Sequence, residues 1–206
     1  MRVGIVACDI LKGEIEYATR GDPDIAHREY LEFALHVEPE LMRERVLERI
    51  DALEGAVDSV FLGYGACQSL AGVPSVARVP TAMLAEDDCI GALLGAERYE
   101  AEKKACAGTW FSTPGWAEVG AEGLIKELRL DTVEGHDPRD LLDRLFESYG
   151  RCLFIDPGIG MEERYCEKSG ELAAELGMRL ERCSCGLERI REALGRAKDL
   201  ARKASG

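Results

Sequence analysis

The sequence predicts an α/β fold: a mainly parallel sheet with helices on both faces, doubly wound and Rossmann-like, in a single domain over 1–206 with a C-terminal helix at 187–203. Three observations predict it. Short apolar runs such as Val3 to Ala7 have the composition of buried parallel strands. Longer stretches between them place apolar residues at helical spacing. The two kinds of segment alternate, which puts helices on the faces of a parallel sheet.

Val3 to Ala7 is the first strand. Lys12 to His27 is polar, without clear periodicity, and reads as a loop over one sheet edge. Tyr30 to Val37 alternates and is expected as a second, edge-like strand. Glu40 to Glu54 is a helix with Met42, Val46, Ile50 and Leu53 on one face, Pro39 at its start and Gly55 at its end. Ser59 to Leu62 is a strand running into the loop Gly63 to Gly65. Val76 to Leu84 is another strand, and Pro80 within it fits an edge or a bulge. Asp88 caps a helix from Cys89 to about Lys104, with Ile90, Leu93 and Leu94 inward. Gly108 to Thr113 is a strand stopped by the turn Pro114-Gly115. Asp137 opens a helix with Leu141, Leu142, Leu145, Phe146 and Tyr149 inward. Cys152 to Ile155 is a strand ended by Asp156-Pro157-Gly158. A helix over Glu162 to Leu176, a short strand over Arg179 to Cys183 and a last helix from Leu187 complete the chain.

Composition narrows the function. The 206 residues are 46% hydrophobic, enough for a full core, and carry 26 basic against 39 acidic side chains, a net charge of −13. That acidity disfavours nucleic acid, whose phosphates need a basic face. No apolar run approaches the ~18 residues of a membrane span. Val3 to Ala7 is also too short for a secretory or lipoprotein signal, so a cytoplasmic protein is expected. In that reducing compartment the eight cysteines favour metal binding or catalysis over disulfides, although free cysteine is also an ordinary core residue.

Cys8 closes the first strand, Cys67 follows the Gly63-Tyr64-Gly65 loop, and Cys89 follows the Val76 to Leu84 strand. Carboxyl ends of parallel strands gather at one edge, where ligands bind. The three thiols are therefore expected to meet there as a metal site for zinc or an iron–sulfur cluster, since thiolates are soft ligands. Cys183-Ser184-Cys185 is a C-x-C pair that adds a thiol to this site or stands apart from it. Cys106, Cys152 and Cys166 read as packing residues, and His36 is an outside candidate for a ligand.

A rival constellation is Gly65-Ala66-Cys67-Gln68-Ser69, similar to a nucleophile elbow with cysteine for serine, but with Ser69 where the last glycine belongs. The turn Glu86-Asp87-Asp88 is either a solvated cap or a catalytic pair, with Asp88 orienting the neighbouring thiolate and Asp87 carrying a proton. Gly63, Tyr64, Gly65, Thr113, Gly115, Trp116 and Asp156 fall at strand ends and are candidate ligand-binding residues. Trp116 is a pocket wall or a hydrophobic plug. Asp156-Pro157-Gly158-Ile159-Gly160 lacks the lysine of a Walker loop.

Phe61 to Cys67 resembles the L-G-Y-G-x-C signature of the family called domain of unknown function 1638. Ala7-Cys8, Asp88-Cys89-Ile90 with Leu94-Gly95 and Arg98-Tyr99, Ser112 to Trp116, and Phe154-Ile155-Asp156-x-Gly158-x-Gly160 are similar to it too. The resemblance spans Val3 to about Leu194. It implies an α/β domain of anaerobic prokaryotes, found alongside corrinoid and methyltransferase proteins. Two departures stand out: Asp87 where the family often has histidine, and Arg182-Cys183-Ser184-Cys185-Gly186 in place of an acidic Gly-Asp turn.

The expectation is a metal-thiolate protein with Cys8, Cys67 and Cys89 as ligands. By resemblance, it acts in corrinoid-linked one-carbon metabolism on a small-molecule substrate or with a corrinoid or methyltransferase partner. The alternatives are a metal-free thiol enzyme with Cys67 as nucleophile, and an accessory protein that docks through its last helix.

Overall fold

The computed structural model describes residues 1–32, 38–66 and 69–204. The chain is a mainly parallel α/β fold, as expected. Its strands form two sheets instead of one, in two compact units. One unit is Met1–Leu93 with Leu187–Gly206, and the other is Leu94–Gly186.

In the first unit, β1 (Val3–Cys8), β2 (Ile25–Leu31), β3 (Ser59–Gly63) and β4 (Thr81–Met83) lie in the order β2-β1-β3-β4, every pair parallel. The chain builds β2 on one side of β1 and then crosses to build β3 on the other, so the switch point of the topology lies between the ends of β1 and β3. Both strands are buried along their whole length, which is why they read as unbroken apolar runs. A Cβ at Gly4 would meet Leu53 and Val57, just past α2 (Pro39–Asp51). On the other face a Cβ at Gly63 would meet Ala7 and Ile15 of α1 (Lys12–Ala18).

α9 (Glu188–Ala204) belongs to this unit and packs on β3 and β4. Ser59 Oγ donates to the Ala197 carbonyl at 2.7 Å, and Lys198 pairs with Asp22 and Asp24. The stripe Leu187, Ile190, Leu194, Ala197 and Ala201 is buried here, so this apolar face is core and not an open docking face.

Three expectations need correction in this unit. Lys12 to His27 is not a loop, because it holds α1 and the start of β2. β2 runs over Ile25–Leu31 instead of Tyr30 to Val37; of that range, residues 33–37 lie outside the described residues. As an edge strand β2 is only half-buried, so polar His27, Arg28 and Glu29 sit in it without cost and hide its pattern. The Val76 to Leu84 run divides into a helical turn, α3 (Val73–Val76), and β4. Pro80 precedes β4, and its carbonyl accepts from Val60 N at 2.9 Å.

The helix expected from Cys89 to about Lys104 is two helices, α4 (Cys89–Leu94) and α5 (Ala96–Ala105). They are broken at Gly95, whose φ of 80° belongs to the left-handed region.

The second unit orders β5 (Thr109–Ser112), β6 (Arg151–Asp156) and β7 (Arg179–Ser184) as β5-β6-β7, again all parallel. Pro114-Gly115 opens a helix, α6 (Pro114–Glu127), and does not merely turn the chain. Proline suits the first turn, and the Thr113 hydroxyl accepts from Trp116 N. Asp137 caps α7 (Pro138–Phe146) as expected, accepting from Arg139 N at 2.7 Å. Leu142 and Phe146 of this helix are buried, whereas Leu145, expected inward, is 50% exposed. α8 (Glu162–Glu175) packs on β6 and β7.

Candidate site at the carboxyl edge of the first sheet

β1 delivers Cys8 to the end of the sheet, where it is buried and its Sγ lies 3.8 Å from Asp9 Oδ1. β3 delivers Gly63 and then Tyr64, which is also buried. Glycine is required at 63 because a Cβ there would lie 2.5 Å from Ala7 Cβ. The chain then presses on the turn after β4. A Cβ at Gly65 would lie 2.6 Å from Asp88 N and Cα, and Ala66 N donates to the Glu86 carbonyl at 2.6 Å. Asp88 Oδ1 accepts from Gly91 N at 2.7 Å, the N-cap expected from the sequence, and sets Cys89 as the first residue of α4. Asp87 beside it is exposed.

The structure brings Cys89 close enough to Cys8 for its charge to act on the Cys8 thiol. Burial pushes the Cys8 thiol well above its ordinary value, and the neighbouring Cys89 adds to the rise. Burial, followed by Asp88 and Glu14, pushes Cys89 up to about 12. Tyr64 is raised by burial and then by Cys8 and Asp9. Asp9 is raised by burial as well.

Glu14 belongs to this edge although its sequence surroundings do not single it out. It sits on α1 beside Ile15 and is wholly buried, and neither carboxyl oxygen has a hydrogen-bond partner among the described residues. Burial pushes it up to about 7, with its own backbone N–H acting in the opposite direction. The one sequence signal for it is the helical spacing of Leu11 and Ile15, which places Glu14 next to an inward face. The polar stretch around that spacing masks it.

Cys67 lies outside the described residues, as do Gln68 and His36. Among the described residues no three His, Cys, Asp or Glu side chains are spaced to hold one metal ion. The site therefore offers two neutral thiols and a buried carboxyl, with the chain running on from Ala66 into Cys67.

The remaining candidates fall in the second unit. Thr113 and Gly115 serve the start of α6. Trp116 is 6% exposed, packed edge-on against Trp110 at 5.1 Å, and Trp110 in turn meets Phe146; it fills the core of its unit. Asp156 is buried at the end of β6, where Oδ1 accepts from Gly158 N at 2.9 Å and Oδ2 accepts from Arg182 at 2.8 Å. Cys183 and Cys185 are half-buried at the end of β7, and the Cys185 N–H donates to the Asp156 carbonyl. Cys8, Cys89, Cys106, Cys152, Cys166 and Cys183 are free thiols.

Among the described residues no helix is long and apolar enough to cross a membrane. No curated protein and no solved structure matches the chain. Residues 30–194, from the end of β2 into α9, match the model of the family described as protein of unknown function (DUF1638), and the chain belongs to that family.

Proposed function

We propose that the carboxyl edge of the first sheet is a metal-thiolate site in which Cys8, Cys67 and Cys89 hold zinc or an iron–sulfur cluster. The observation that carries this reading is the proximity of Cys8 and Cys89, from strand ends far apart in sequence, with no basic side chain among the groups that shift either thiol. Neutral buried thiols are poor nucleophiles, but a bound metal deprotonates them and offsets the crowding of acidic groups. Support for Cys67 as third ligand comes from Gly65 and Ala66, whose backbone lies against Glu86–Asp88 immediately before Cys89. Three protein ligands leave a position for a small-molecule substrate, and zinc there activates a thiol or a water. In the cytosolic one-carbon setting that the resemblance implies, a methyl-accepting thiol is the substrate class, and a corrinoid or methyltransferase protein is the partner.

Metal analysis of anaerobically purified protein tests the site. Near-stoichiometric zinc or iron is expected, falling on each of Cys8→Ser, Cys67→Ser and Cys89→Ser. Trace metal that none of the three substitutions changes would end the proposal.

One observation favours a second reading. With Cys8 and Cys89 held neutral, a metal-free thiol enzyme has Cys67 as its nucleophile. Iodoacetamide at mildly acidic pH would then label wild type and not Cys67→Ser, whereas equal labelling of several cysteines argues against it.

A further inference from the structure

Glu14 has no part in the metal-thiolate reading, yet it is the least compensated polar group of the edge. Both of its oxygens are buried without a hydrogen-bond partner among the described residues, and its charge acts on Cys89. Buried polar atoms are nearly always satisfied, so such a group calls for a partner that the described residues do not supply. A shared metal is not that partner for the described set, because Glu14, Cys8 and Cys89 are not spaced to hold one ion. The charges that act on Cys89 together with it are of one sign. Asp9 lies beside Cys8, Asp88 acts on Cys89, and Glu86 is engaged by Arg189 at 3.5 Å. A buried carboxyl beside other acidic groups favours a cation with hydrogen-bond donors, and an ammonium supplies both.

We infer that Glu14 is a ligand-binding residue of this edge and that it seats an ammonium group on the small molecule the site accepts. The inference rests on the reading of the edge as a site, with a thiol as the ligand's other end. The Glu14 side chain presents its carboxyl to the ammonium on the side of Cys89, the group on which its charge acts.

The test compares two probes that differ only in the cation, cysteamine and ethanethiol. Each is titrated calorimetrically into the full chain, wild type and Glu14→Gln, with and without zinc. Wild type is expected to prefer cysteamine by at least tenfold, and Glu14→Gln is expected to lose that preference while its zinc content is unchanged. Equal affinity for the two probes in wild type, or a preference that survives Glu14→Gln, overturns the assignment. An internal water on the carboxyl would give the first of these results. If zinc does not bind but the Glu14-dependent preference persists, the metal reading fails and the Glu14 assignment stands. Glu14→Leu, read for folding by circular dichroism, checks that the loss does not come from a general collapse of the edge.

Discussion

Each of the two sheets ends in a buried carboxylate at its carboxyl edge, but the two carboxylates differ in what surrounds them. Asp156 in the second unit accepts from a loop N–H and from Arg182, and its loop closes on itself. Glu14 in the first unit has no hydrogen-bond partner among the described residues, and it acts on Cys89 together with Asp88. The same architecture thus yields a finished structural cap in one unit and an uncompensated buried acid in the other. Compensation of buried charge, more than position at a strand end, separates a loop anchor from a candidate site.

The largest expected effect sharpens this contrast through pH. Glu14 has its folded value pushed from 4.5 up to about 7. Its contribution to stability is therefore complete below pH 4.5 and is lost as pH rises through 7. Glu14→Gln is expected to match wild type under acid conditions and to be more stable by about 3 kcal/mol above pH 7, read by urea denaturation across that range. A variant less stable than wild type at pH 8 would break the comparison, since the carboxylate would then be satisfied.

Asp156→Ala should act in the opposite direction. It removes the acceptor of the Gly158 N–H and is expected to cost about 1.5 kcal/mol in the same denaturation measurement, with zinc content unaltered. Loss of metal on Asp156→Ala would give the second edge a role the comparison denies it.

Smaller effects are expected at Asp88, where cap and charge can be separated. Asp88→Ala should cost about 1 kcal/mol, and Asp88→Asn only a few tenths, because asparagine caps nearly as well. A fall in metal content with Asp88→Asn, at unchanged thermal stability, would show that the carboxylate tunes Cys89 electrostatically beyond its role as a cap.

Part of this site is legible in the amino-acid sequence. The unbroken run Val3 to Ala7 and the stretch Ser59 to Gly65 place Cys8 and Tyr64 at strand ends, because a strand buried on both faces has no room for polar alternation. Asp88 is legible as a cap since capping depends on neighbours three residues away. Glu14 is not, because a short helix in a polar stretch gives too few turns to show a period. Trp116 is ambiguous, for an aromatic residue after a strand fits a pocket wall as well as the cluster with Trp110.

Spacings of a few residues and short motifs carry the alternation of strands and helices, the parallel α/β class, the bounds of elements such as β1, β3 and β6, and the family resemblance. Tertiary packing sets the rest. It divides the strands into a four-stranded and a three-stranded sheet, and it joins α9 to residues from the start of the chain. It also brings Glu14 within electrostatic reach of Cys89. Those outcomes depend on which distant surfaces bury one another, and local periodicity carries no record of the partner across the core.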